Sequence, residues 1–212
     1  MTISTVLVLT GGAEQPARIA LPPDATVVAA DGGAEVAAAL GLRVDLAVGD
    51  FDSVAADTLG AMPVERHRPD KDATDLELAL AAALRLEPER VLVLGGAGGR
   101  LDHLLGGLLL LASPQYARVQ VDAQLGPAAV HVVRERRALA GEPGELVSLF
   151  AVHGAASGIV TEGLLYPLRG ETLAPGSTRG VSNVFAAPQA RIELTRGVLL
   201  AVRPSGSATA GS

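Results

Sequence analysis

The chain has 212 residues, enough for a sizeable core in one large domain or two small ones; 49% of them are hydrophobic and only 19% charged. A formal charge of −6, from 23 acidic against 17 basic side chains, excludes a general binder of the nucleic-acid backbone. The absence of cysteine excludes disulfides, thiolate metal sites and a cysteine nucleophile.

The first residues lack the basic region and cleavage pattern of a signal peptide, and the longest apolar run, around Leu104 to Ala112, is too short to span a bilayer. The expectation is a cytoplasmic protein with neither a membrane nor a nucleic-acid partner. Aromatic side chains are few, so the core has to be built from Ala, Val and Leu. Only one of the 17 Lys and Arg residues is a lysine, Lys71.

Strand-like and helix-like segments alternate in the first part of the chain. TVLVLT, Thr5 to Thr10, is a continuous apolar run closed by Gly11 and Gly12, the pattern of a strand covered on both faces. Thr26 to Ala30 repeats that form and ends at Asp31, Gly32 and Gly33. An alanine-rich helix from Ala34 to Leu40 stops at Gly41. Leu46 to Val48 is a short strand ending at Gly49 and Asp50. Asp72 to Leu84 has helical periodicity with a capping signal at its start, and Arg90 to Leu94 returns to strand before the glycines at 95, 96, 98 and 99. Leu101 to Leu111 reads as a buried helix. This alternation predicts parallel strands joined by crossover helices, an open α/β sheet.

Beyond about residue 125, short β-like segments follow closely: Ala128 to Val133, Glu145 to Ala151, Ser157 to Val160, Gly180 to Ala186, Ala190 to Thr195 and Val198 to Val202. Gly and Pro punctuate them, which predicts a small antiparallel sandwich or barrel. The expected division is an α/β domain over 1–124, an all-β sandwich over 125–204, and a disordered polar tail over 205–212.

Open parallel sheets bind ligands outside the carboxyl ends of their strands. Four polar or glycine-rich clusters fall at such ends: Thr10 to Gly12, Asp31 to Gly33, Gly49 to Ser53, and Gly95 to His103. In extended geometry Asp50 and Asp52 point the same way and repel unless a cation lies between them, and Mg²⁺ is commonly held by one or two carboxylates plus substrate phosphates. The alternative is a solvated turn in which Asp52 or Ser53 caps a helix opening at DSVAADTLG. Asp72 and Asp75 can likewise serve as cap and first-turn acid of the next helix, although Asp70, Asp72 and Asp75 together with Glu77 exceed what a cap requires. LGGAGGRLDHLLGG is a glycine-rich turn into a helix, where backbone N–H groups can approach an anion, with Arg100, Asp102 and His103 immediately after.

Six segments in order, ADGGA (30–34), GDFDS (49–53), DKDATDLELAL (70–80), GGAGGRLDH (95–103), GLLYPL (163–168) and RGVSN (179–183), resemble the thiamine pyrophosphokinase family, and the similarity runs to about residue 203. The resemblance implies a nucleotide-binding α/β domain followed by a β-sandwich domain that binds thiamine and dimerises, with each active site between subunits of a homodimer. It implies transfer of a diphosphoryl group from ATP to the hydroxyl of thiamine, giving thiamine diphosphate and AMP, with Mg²⁺. By that similarity Asp31, Asp50, Asp52, Asp72 and Asp75 form the acidic centre, with Asp50, Asp52 and Asp72 on the metal. On the nucleotide side stand Asp31, Gly32, Gly33, Lys71, Thr74, Gly98, Gly99, Arg100, Asp102 and His103. Ser182 and Asn183 lie near thiamine, with Tyr166 at a position where some members carry tryptophan.

Charge logic agrees: carboxylates beside a polyphosphate require cations, with Lys71 and Arg100 stabilising the remaining charge. Asp75 and Asp52 are the candidates for accepting the hydroxyl proton. The same motifs are compatible with a non-catalytic sensor of nucleotide or thiamine diphosphate and with a pyrophosphokinase for another alcohol; AMP formation and acceptor competition separate these.

Overall fold

A computed structural model of the chain describes residues 4–12, 21–51, 62–68, 70–97 and 99–205. They fall into two compact units, one within Met1–Gly107 and Ala123–Gly126, the other within Leu108–Asp122 and Pro127–Ser212. The stretch considered as a helix opening after Asp52 and the tail past Ser205 lie outside the described residues.

The first unit is built on parallel strands in the order β5-β1-β2-β3-β4: β1 (Thr5–Thr10), β2 (Thr26–Ala30), β3 (Leu46–Gly49), β4 (Val64–Arg66) and β5 (Arg90–Gly95). Successive residues Val6 to Leu9 are all buried, so both faces of β1 are covered, which is why its sequence is a continuous apolar run rather than an alternation. Helix α1 (Gly33–Leu40) packs on β1 and β2, and α2 (Asp75–Leu84) on β1, β2 and β3. Their buried faces are mostly alanine, Ala34 and Ala37 on α1 and Ala79, Ala82 and Ala83 on α2, which brings the helices close to the sheet. Gly41 ends α1 in the left-handed region at φ 67°, as its sequence predicts.

The strands finish level at their carboxyl ends. Thr10 is registered with Ala30, Ala30 with Val48, and Leu9 with Leu94. Two glycines make this edge possible. A Cβ on Gly33 would lie 2.1 Å from the carbonyl oxygen of Leu9, and one on Gly12 would lie 2.5 Å from Cα of Gly96. Only glycine lets α1 start directly over the end of β1 and lets the loops after β1 and β5 touch.

Helix α3 (Leu101–Leu111) corrects the sequence reading. Of its residues only Leu111 is buried, while Leu101, Leu105 and Leu109, one helical turn apart, are 76%, 55% and 39% exposed. An apolar composition does not by itself fix that the chain's own fold covers a helix face.

The second unit contains two antiparallel sheets. One has the order β12-β9-β14-β7, from β7 (Ala128–Val133), β9 (Leu146–Ala151), β12 (Asn183–Val184) and β14 (Leu199–Arg203). The other has the order β11-β10-β13-β8, from β8 (Arg136–Ala140), β10 (Ala156–Glu162), β11 (Arg169–Leu173) and β13 (Gln189–Glu193). Alternate residues of both sheets, among them Val147, Leu149, Leu199, Leu139, Ile159 and Ile192, form one buried cluster together with Phe185, so the unit is a sandwich. Strand β6 (Gln120–Leu125) supplies Asp122, fully buried, which bridges both sheets: Arg137 Nη2 on β8 donates to its two oxygens at 2.7 Å, and His131 Nδ1 on β7 lies 2.9 Å from Oδ1.

Gly33→Ala is expected to destabilise the protein by about 1–3 kcal/mol, the usual cost of forcing atoms into a filled space, seen as a lower urea midpoint at unchanged slope. An unchanged midpoint would mean that the start of α1 is not held against β1.

Candidate functional site

The site in the first unit grows from the loops that leave the level edge of the sheet. After β2 the chain turns at Asp31, whose φ of 40° is left-handed, a conformation that Asp tolerates better than most residues. Its N–H donates to Val48 O at 2.9 Å and its carbonyl accepts from Ala34 N at 3.1 Å, tying the turn to β3 on one side and to α1 on the other. Oδ1 of the Asp31 carboxylate is buried.

After β3 the chain reaches Asp50 and then Phe51, at φ 56°. This corrects the extended geometry expected from Asp50 to Asp52: the backbone turns at Phe51, so the alternation of an extended strand does not carry across it. A left-handed phenylalanine costs about 1–2 kcal/mol. Burial of the ring offsets that cost, as does the Arg66 guanidinium lying over it at 5.4 Å. Phe51 packs inward. Asp52 lies outside the described residues.

Arg66, at the end of β4, also donates to the Asp50 carbonyl oxygen at 3.3 Å. Sequence reasoning missed this residue. Its only signal is position, since a short edge strand paired with β3 must set its last residue beside Gly49.

The next segment returns Lys71 to the same place. Lys71 Nζ donates to Asp50 Oδ2 at 3.0 Å and to Asp75 Oδ1 at 2.7 Å. The Lys71 and Asp50 side chains are largely buried and Asp75 is about one-third exposed. Burial alone pulls the ammonium down, but hydrogen bonds to Asp75 and Asp50 and the charges of both outweigh it, so its pKa lies above the ordinary lysine value. The lysine stays charged throughout the neutral range.

Asp75 opens α2, and the cap is Thr74 rather than Asp72: Thr74 Oγ1 accepts from Glu77 N at 3.3 Å. That leaves Asp75 at the positive end of the helix, where a carboxylate is favoured. Asp72 is exposed in the turn before it. The ion-paired centre therefore joins Asp50 to Asp75, and not to Asp72 as the metal set was drawn from the sequence.

Gly32 precedes α1 as its cap position, Gly33 is its first residue, and Gly99, at φ 81°, turns the chain into α3. Gly98 lies outside the described residues. Arg100 grips Asp102 with both ends of its fork, Nε to Oδ1 at 3.2 Å and Nη2 to Oδ2 at 2.6 Å, and this contact holds the Asp102 carboxyl down at about 2. The pair is exposed, as is His103. An exposed guanidinium held by one neighbouring carboxylate can be redirected to a phosphate with little loss.

In the second unit, Tyr166 is exposed and Asn183 buried. The Asn183 side chain is engaged with backbone: Oδ1 accepts from Tyr166 N at 3.0 Å and from Val184 N at 2.9 Å, and Nδ2 donates to Tyr166 O at 2.8 Å. Asn183 thus clamps the Tyr166 turn. Ser182, left-handed at φ 57°, donates its N–H to Ser148 Oγ at 3.0 Å and leaves its own side chain exposed. Around them Leu165 and Val181 are also exposed, giving the turn an apolar rim.

Among the described residues no three acidic, histidine or cysteine side chains form a group suited to a metal ion. Asp50 and Asp75 nevertheless converge on one cationic atom, and two hard oxygen donors at such a point fit Mg²⁺ when substrate phosphates complete the shell.

Asn183→Ala is expected to cost about 1–3 kcal/mol, because it strands both backbone groups of Tyr166. Asn183→Asp, which keeps the acceptor and loses the donor, should fall between that variant and the native chain. Equal urea midpoints for all three proteins would remove the clamp.

Comparison with known proteins gives a consistent result. Residues 20–122 match the family model described as thiamin pyrophosphokinase, catalytic domain, and residues 130–199 match thiamin pyrophosphokinase, vitamin B1 binding domain. Thiamine pyrophosphokinase of Bacillus subtilis is 26% identical over 169 residues, 74% of this chain and 77% of that protein. Its crystal structure superimposes with a TM-score of 0.84 at 23% identity, covering 96% of this chain and all of that one. Thiamin pyrophosphokinase from Candida albicans, at 14% identity, still gives a TM-score of 0.76 over 94% of this chain and 88% of its own, a likeness of fold.

Proposed function

From the premise that the chain belongs to the thiamin pyrophosphokinase family, and so transfers a diphosphoryl group from ATP to the hydroxyl of thiamine with release of AMP, we propose that the Asp50–Lys71–Asp75 centre is where the ATP diphosphate is held. The observation that carries this reading is the convergence of two carboxylates on one cationic point at the carboxyl edge of the sheet. Asp50 and Asp75 would hold Mg²⁺, with Asp52 and Asp72 as the further carboxylates. Bound there, the metal would neutralise phosphate charge and fix the β-phosphorus for attack.

The chain's own residues do the positioning. Gly32 and Gly33 open α1 with backbone N–H groups at the sheet edge, a surface that accepts phosphate oxygens. Arg100 exchanges Asp102 for phosphate, and His103 and Gly99 line the same turn. Asp31 follows β2 at the same sheet edge, and Thr74 is held as the cap of α2. The thiamine hydroxyl has to stand in line with the bond to AMP, and Asp75, with one-third of its side chain exposed, is the better placed described carboxylate to take its proton.

In the β-rich unit Tyr166, presented by Asn183 and flanked by Ser182, offers a ring to the cationic thiazolium. The leucine face of α3 supports a homodimer, because Leu101, Leu105 and Leu109 form an apolar stripe that a second copy would cover. A requirement for ATP supports a cytoplasmic address. No described helix is long and apolar enough to cross a membrane.

With ATP, Mg²⁺ and thiamine, the protein is expected to release one AMP per thiamine diphosphate; ADP as the coproduct, or turnover of a different alcohol in preference to thiamine, would overturn the assignment. Asp50→Asn should lower kcat more than about a hundredfold, beyond what loss of a group supporting a metal ligand usually costs, with an unchanged far-UV spectrum. Leu105→Glu should convert a dimer to a monomer by light scattering; a monomeric native protein would refute the role given to α3.

A further inference from the structure

We infer that Lys71 is an internal counterion that occupies the metal point of the acidic centre until nucleotide arrives, and then passes its hydrogen bonds from Asp50 and Asp75 to the phosphates. This rests on the reading of Asp50 and Asp75 as metal-holding residues.

The geometry is specific. The ammonium stands 3.0 Å from one carboxylate and 2.7 Å from the other, on a side chain that is 14% exposed. Asp50 comes from the end of β3 and Asp75 from the first turn of α2, so Lys71 bridges two elements that a divalent cation would also have to bridge. It is the one lysine in a chain whose other basic side chains are all arginine. The choice has a chemical reason. A guanidinium is a planar fork suited to one carboxylate face-on, whereas an ammonium is a compact charge whose donors can turn towards two carboxylates at once. Of the basic side chains, lysine is the nearest in shape to a small cation.

Two consequences follow. Without nucleotide, a divalent cation reaching Asp50 and Asp75 meets a positive charge already hydrogen-bonded there and has to displace it, so the empty enzyme binds metal weakly. With nucleotide, the displaced ammonium finds phosphate oxygens as new acceptors, and the exchange conserves hydrogen bonds. Metal and nucleotide therefore bind cooperatively, and the centre does not accumulate bare divalent ions.

The test uses Mn²⁺ as the probe, followed by electron paramagnetic resonance on the full chain, with and without a non-hydrolysable ATP analogue. Lys71→Met should bind Mn²⁺ in the absence of nucleotide roughly tenfold or more tightly than the native chain, as removal of one unit charge from a partly buried site requires. Lys71→Arg, which keeps the charge, should show no such gain. Equal affinities of the native and Lys71→Met proteins, or a gain shared by Lys71→Arg, would overturn the inference.

A second measurement needs no variant. Biosynthetic ¹³C,¹⁵N-lysine gives a single side-chain signal, and that signal should shift when the analogue and Mg²⁺ are added together but not with Mg²⁺ alone at the same concentration. A signal unmoved by the pair would refute the transfer. If Mn²⁺ fails to bind even with the analogue present, the metal-holding reading itself fails; if it binds with the analogue and Lys71→Met leaves the nucleotide-free affinity unchanged, only the role of Lys71 does.

Discussion

The close approach of backbones at the carboxyl edge of the parallel sheet is the constraint on which the first unit depends. Gly33 sits where any side chain would collide with the Leu9 carbonyl, and Gly12 where one would collide with Gly96. The polar loops that leave this edge are thereby held within a few ångströms of one another. An aspartate just after β2 and another just after β3 stand at the same edge because the strands end in register. The chemistry is thus a consequence of strand register more than of any one motif.

That edge is acidic, and the fold bears the cost locally. Asp50 and Asp75 are brought together with Lys71 between them, and Asp102 with Arg100. Asp50 and Asp75 share one cation in a largely buried group, and Asp102 has its own in an exposed pair. The largely buried arrangement resists rearrangement unless a comparable charge replaces it; the exposed one can open freely. The left-handed turn at Phe51 serves the same end. Its strain is held by ring burial and by Arg66, directly after Asp50.

Much of this was legible in the sequence. Strands buried on both faces read as continuous apolar runs, and β1, β2 and β5 were expected almost to the residue. The strands left out of that reading are mostly edges. β4 closes one side of the parallel sheet, and β8 and β11 are the two outer strands of one sandwich sheet. Edge strands bury few side chains, so RRALA and RGETL carry charge where a central strand carries valine. β6 escaped for the opposite reason, since its polar residues Asp122 and Gln124 are buried. In the site, the clustering of aspartates was visible, but the pairing was not. Whether Asp72 or Asp75 meets Asp50 depends on which residue caps α2, and Thr74 takes that place through a single hydroxyl. The helix 101–111 shows the other limit, because apolarity alone does not decide whether the chain's own fold buries it.

The second unit spends its polar groups differently from the first. Asp122 ties the two sheets together through Arg137 and His131, and Asn183 saturates the backbone of Tyr166. These groups are consumed inside the unit, so the surface left at the Tyr166 turn is an aromatic ring with Leu165 and Val181 beside it and the Ser182 hydroxyl at its margin. Such a surface has little to offer a polyphosphate. An exposed aromatic ring with apolar neighbours gains most from ring contact. The two units thus place their tightest ion pairs differently: the parallel sheet gathers Asp50, Lys71 and Asp75 at its carboxyl edge, whereas the sandwich holds Asp122 with Arg137 and Glu145 with Arg203 largely buried.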